Sequence, residues 1–86
     1  MKMLTKVNNS GPAVLQEETG ARIATIRRQL GMSQDGLARE IEAKRAALSM
    51  WERGKRAPDI DAMIRLADRA GTSLDWIFGR DGREDS

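Results

Sequence analysis

Ser33-Gln34-Asp35-Gly36-Leu37-Ala38-Arg39-Glu40-Ile41-Glu42-Ala43-Lys44-Arg45-Ala46-Ala47-Leu48-Ser49-Met50-Trp51-Glu52-Arg53-Gly54-Lys55-Arg56 is the stretch from which the fold follows. Ser33 is a good N-cap, and Leu37, Ala38 and Ile41 fall at i, i+1 and i+4, one buried stripe on a helix running from Gln34 to Ile41. Gly36 stands where a glutamate would complete a capping box with Ser33, which weakens that helix start. The break at Glu42 and Ala43 is too short for a free loop. A new apolar pattern then runs from Ala47 and Leu48 to Trp51 and predicts a second helix from Arg45 to Arg53, with Lys44 as its half-in flanking residue. Two helices joined this tightly cross at a steep angle.

Working outward, Ile23, Ile26 and Leu30 form the stripe of a helix that starts after Thr19 and stops before Gly31, a C′ residue. Arg27 falls inside that stripe by angle and needs an anionic partner or a route to water. Downstream, Pro58 and Asp59 open a fourth helix with Ile60, Met63, Leu66, Ala67 and Ala70 inward and Gly71 at its end. Ser73 caps a short fifth helix carrying Leu74, Trp76, Ile77 and Phe78. Residues 1–18 contain Asn8-Asn9-Ser10-Gly11-Pro12, turn and linker chemistry, and are expected to be a flexible extension. Residues 80–86 mix charges with glycine and are expected to be a disordered tail. Residues 19–79 are thus the domain. Helix formers dominate and no strand-like alternation occurs, so the chain reads as all-α, a compact arrangement of five helices.

The 86-residue chain contains neither cysteine nor histidine. Disulfides, zinc fingers and the Ser-His-Asp and Cys-His arrangements are excluded together, and no cofactor or metal is expected. Asp59 and Asp61 do form a carboxylate cluster, but they occupy the first turn of a helix, where negative charge complements the dipole. An enzyme is therefore not expected. No segment approaches a membrane span or a signal peptide, which implies a cytoplasmic protein with no membrane partner.

Net charge is only +2, but its distribution is uneven. From Arg39 to Arg56 six basic residues (Arg39, Lys44, Arg45, Arg53, Lys55, Arg56) face three acidic ones (Glu40, Glu42, Glu52). At 100° per residue Ala47, Leu48 and Trp51 point to one flank of the third helix. Arg45, Ala46, Ser49 and Met50 point to the other and are free to meet a ligand. A basic excess around an exposed helix flank fits double-stranded DNA.

With these residues in place, the chain resembles the helix-turn-helix regulators typified by phage repressor and Cro proteins, the xenobiotic-response-element family. The resemblance spans roughly Thr19 to Gly79. It is carried by Ser33-Gln34 before Leu37-Ala38, by Leu48-Ser49 with Trp51-Glu52-Arg53-Gly54-Lys55, by Pro58, and by Ser73-Leu74-Asp75-Trp76. It implies a five-helix, lambda-repressor-like domain with the third helix in the major groove. It also implies a phosphate contact from Gln34 and a structural salt bridge between Arg27 and Glu52. The chain departs from the family pattern at Glu42, where the turn usually carries glycine, and at Lys44, where Ser or Thr usually opens the third helix. Those departures imply a turn built differently, with the second helix running longer.

The expected roles follow. Gln34, Lys44, Lys55 and Arg56 meet backbone phosphates, which fix register without reading sequence. Base contacts fall to Arg45, Ala46, Ser49 and Met50, and among them Arg45 alone has the bidentate fork that suits guanine O6 and N7. One such helix reads only a few base pairs, so a homodimer on a palindromic operator is expected, with Trp76 and Phe78 as its interface and repression as its effect. No small-molecule ligand is expected. A competing expectation is an antitoxin- or antiactivator-type module that uses the same fold to hold a protein partner.

Overall fold

The computed structural model describes the backbone of residues 2–79 and the side chains of residues 16–79. Among the described residues there are five helices and no strand: α1 (Lys2–Gln29), α2 (Gln34–Glu40), α3 (Arg45–Glu52), α4 (Ile60–Ala70) and α5 (Leu74–Ile77). The expected all-α, five-helix class is the one observed. α1 packs on α3 and α5, α2 on α3, and α4 on α5.

The core is assembled from the stripes that helical spacing marks. Ile23 and Ile26 of α1, Leu37 and Ala38 of α2 with Ile41 just beyond it, and Leu48 and Trp51 of α3 are buried together. Ala62, Met63, Leu66 and Ala67 of α4 and Ile77 of α5 complete the cluster. Ala47 and Leu30, expected inside, pack against its edge and stay partly exposed. Burying a large aliphatic side chain stabilises by about 1.5 to 3 kcal/mol, so this dozen residues dominates the energetics of so small a domain.

Three local expectations are corrected. The first helix does not start after Thr19; α1 begins at Lys2 and is 28 residues long. The turn residues Asn8 to Pro12 lie within it. The buried turns around Ile23 supply the nucleus, and extending a helix from an existing nucleus is far easier than starting one. Second, Ile60 is 54% exposed and not inward. The inward stripe of α4 is centred on Ala62, Met63 and Leu66, and Ile60 and Ile64 sit at its margin.

Third, α2 does not run longer: it ends at Glu40, with Ile41 as its C-cap. Glu42 takes the left-handed conformation itself, with φ of 58°, among the described residues the one non-glycine at positive φ. The turn is thus built as glycine would build it, at a steric cost of about 1 to 2 kcal/mol. The expected tail at residues 80–86 lies outside the described residues.

Candidate nucleic-acid interface

Ser33 starts the two-helix unit, its hydroxyl accepting from the Gly36 amide at 3.0 Å. Ala43 closes the turn by donating its amide to the Ala38 carbonyl at 2.8 Å. Leu48 and Trp51, fully and almost fully buried, bolt one flank of α3 to the core. The opposite flank is left open: Arg45 and Ala46 are exposed, and Ser49 and Met50 are partly so. Lys44, ahead of α3, and Lys55 and Arg56, behind it, are exposed as well.

The end of α3 is tied to both preceding helices through Glu52. Arg27 holds the Glu52 carboxylate with both arms, Nε to Oε2 at 2.7 Å and Nη2 to Oε1 at 3.1 Å. Its remaining nitrogen Nη1 donates to the Met32 carbonyl at 3.1 Å. Gln34 Nε2 donates to Glu52 Oε1 at 3.0 Å. The carboxylate is 7% exposed and the guanidinium 18%, so the pair is shielded from water. The hydrogen bond to Glu52 raises the Arg27 pKa above its ordinary value, against the opposing effect of burial. A raised pKa means that the stabilisation is fully present below the unfolded value and fades only in strong alkali.

One N–H of the Gln34 amide steadies α3 through Glu52, and its second N–H and carbonyl oxygen make no side-chain hydrogen bond among the described residues.

The charge distribution sharpens the picture that composition leaves blurred. All three acidic residues between Arg39 and Arg56 are held by arginines outside that segment. Arg69 takes Glu40 at 2.7 Å, Arg65 meets Glu42 at 3.8 Å while donating to the Ile41 carbonyl at 3.0 Å, and Arg27 takes Glu52. Arg39 meets Asp35 on α2 at 3.4 Å. Among the described residues Lys44, Arg45, Arg53, Lys55 and Arg56 form no ion pair, nor do Arg22 and Arg28 of α1, so most of the uncompensated positive charge lies on α3 and the residues flanking it.

Arg53 belongs to the same surface, although sequence reading leaves it out. It is the C-cap of α3, and its side chain reaches back along the outer flank, Nε to the Ser49 carbonyl at 3.4 Å and Nη2 to the Met50 sulfur at 3.8 Å. Its spacing of three and four residues from Met50 and Ser49 was the available signal.

Trp76 and Phe78 do not stand clear of the domain. Both are half-buried and pack against the core, while Ile77 between them is fully buried. The Arg22 guanidinium carbon lies 5.9 Å from the centre of the Trp76 ring, over its face. Ile60 and Ile64 of α4 are instead the large apolar side chains most open to solvent among the described residues.

A protein-family model described as helix-turn-helix matches residues 23–77, from the first buried isoleucine of α1 to the last residue of α5. The chain belongs to this helix-turn-helix family. It is of the type that also includes the phage repressor and Cro proteins, a non-enzymatic class. The HTH-type transcriptional regulator ImmR of Bacillus subtilis (strain 168) is 31% identical over 62 residues, which cover 72% of this chain. The chain spans about half of ImmR, 49% of its length. The matched region holds both helices of the two-helix unit and the Arg27–Glu52 pair. Among the described residues no helix is long and apolar enough to cross a membrane, and no cluster of potential metal ligands occurs.

Proposed function

We propose that this protein is a cytoplasmic transcriptional regulator that lays α3 in the major groove of double-stranded DNA. The observation that carries the reading is the partition of charge. Glu40, Glu42 and Glu52 are each paired with an arginine from outside the segment, while Lys44, Arg45, Lys55 and Arg56 are exposed and unpaired among the described residues. Family membership and the similarity to ImmR support the same conclusion.

Lys44, Lys55, Arg56 and the free donor of Gln34 hold phosphates. Arg45, Ala46, Ser49 and Met50 meet base edges, and Arg53 extends the surface at the far end. A homodimer on a palindromic operator supplies the length of sequence that one such helix cannot read, and repression follows from occupancy of the site. The uncovered parts of Trp76 and Phe78 are the surface we assign to the dimer.

The test is selection of bound fragments from random duplex DNA, followed by gel-shift titration at several salt concentrations. A dimer that neutralises six to eight phosphates gives a slope of log affinity against log salt of roughly −5 to −7. A slope near zero, or stable co-purification with a protein and no duplex binding, would assign the fold to a protein-interaction module instead.

A further inference from the structure

Interhelical distance is set by the side chains at the contact, and where a residue has none the backbones can touch. Gly20 is such a residue, one turn before Ile23 in α1 and buried. A Cβ there would collide with the carbonyl oxygen of Trp51 and lie 2.7 Å from that of Glu52. The same contact is made from the other side at Gly54. Its φ is +72°, and a Cβ on it would lie 2.8 Å from both Cα and Cγ of Glu17. Two glycines thus interlock the stretch from Glu17 to Gly20 with the last turn of α3, beside the point where Arg27 holds Glu52.

The other end of α3 is held differently, by Leu48 in the core and by the short turn from α2, without a backbone interlock of this kind. Lys44 makes no side-chain cap bond, and Arg45 and Ala46 are exposed. A helix held most rigidly at one end changes its angle about that end. Eight residues span about 12 Å, so a tilt of about 10° at the anchor carries the opposite end by about 2 Å. Hydrogen bonds to base edges tolerate a few tenths of an ångström.

We propose that Gly20, Gly54 and Glu17 form a positioning clamp that sets the angle at which α3 presents Arg45 and its neighbours, so that the turn of α1 before the family-matched region belongs to the reading unit. These are positioning residues, since none of them faces the exposed flank. The proposal rests on the DNA-binding reading for its consequence and on the fold for its geometry.

The test compares Gly20→Ala and Gly54→Asn with Gly31→Asn in the full chain. Gly31 also has positive φ, +70°, but nothing lies within 4 Å of a Cβ placed on it, so its variant carries the conformational cost without the collision. Asparagine tolerates left-handed backbone, which leaves the collision with Glu17 as the main change at Gly54. At a temperature where circular dichroism shows each variant folded, both clamp variants should lower affinity for a selected duplex tenfold or more relative to random duplex. Gly31→Asn should leave that ratio within twofold. In the free protein the backbone amide resonances of residues 45–52 should shift in the clamp variants and stay in place in the control.

An unchanged ratio and unchanged resonances in Gly20→Ala would overturn the proposal. Should Gly20→Ala not fold, Glu17→Ala removes the Cγ packed over Gly54 together with the carboxylate, and Glu17→Gln, which keeps Cγ and loses only the charge, is its control; a loss of ratio in Glu17→Ala beyond that in Glu17→Gln supports the clamp, and equal ratios refute it. If the parent chain itself shows no salt-dependent duplex binding, the functional reading fails, and the amide resonances still decide the clamp.

Discussion

Single residues carry the sharpest consequences. Glu42 holds a left-handed conformation that costs a side-chain-bearing residue about 1 to 2 kcal/mol. Its ion pair with Arg65 is long and exposed and returns little. Glu42→Gly should therefore stabilise the domain by about 0.5 to 1 kcal/mol once the greater freedom of glycine in the unfolded chain is subtracted, a gain that denaturant midpoints would reveal. A loss of stability would show that the turn owes its shape to contacts of that side chain. Glu52 is the opposite case. Glu52→Gln leaves the shielded Arg27 guanidinium without its counter-charge and should cost on the order of 2 to 3 kcal/mol, somewhat less than for a fully buried pair. Arg45→Ala addresses function at the same scale. It should cost about 1 to 3 kcal/mol on the selected duplex and much less on random duplex. Equal losses on both would move Arg45 to the phosphate-contact set.

At the scale of the element, caps that look alike in sequence turn out unlike in structure. Ser33 and Asp59 both precede apolar runs as N-caps, yet only Ser33 bonds its own helix, and Asp59 makes no side-chain cap bond. Ser33→Ala should lower stability by about 1 kcal/mol and Asp59→Ala by less, measurable by parallel thermal unfolding. Equal losses would mean that Asp59 acts through its charge on the helix dipole alone. The same scale shows where local reading stops. The apolar periods of Ile23 and Ile26, of Leu37 and Ile41, and of Leu48 and Trp51 are visible in sequence because a helix repeats its faces every three to four residues. The length of α1 was not visible. Asn8 to Pro12 carry turn chemistry, and a helix extending from a buried nucleus overrides it. Ile60 misled for a related reason, since helical angle alone does not say how wide the covered stripe will be.

For the whole molecule, the distribution of charge matters more than its sum. A net charge of +2 is a weak signal, and the structure converts it into a one-sided surface by pairing Glu40, Glu42 and Glu52 with Arg69, Arg65 and Arg27. If two copies bind one palindrome, their half-sites lie about 34 Å apart, one helical turn of DNA. Inserting about five base pairs between the half-sites should then abolish cooperative binding, because the second half-site rotates to the far face of the duplex. Binding that ignores the insertion would argue against a rigid dimer.

What the chain order alone determined here is local: the cap at Ser33, the apolar stripes, the five-helix class, and the exposed flank of Arg45, Ala46, Ser49 and Met50. Those features depend on residues within a turn or two of one another, where backbone geometry dictates who shares a face. Only the folded molecule decided that Arg69 and Arg65 pair with Glu40 and Glu42, that Gln34 braces Glu52, and that Gly20 and Gly54 seat α1 against the end of α3. These contacts join segments 18 to 37 residues apart, and the three-dimensional approach of the helices selects among partners that one-dimensional spacing leaves equivalent.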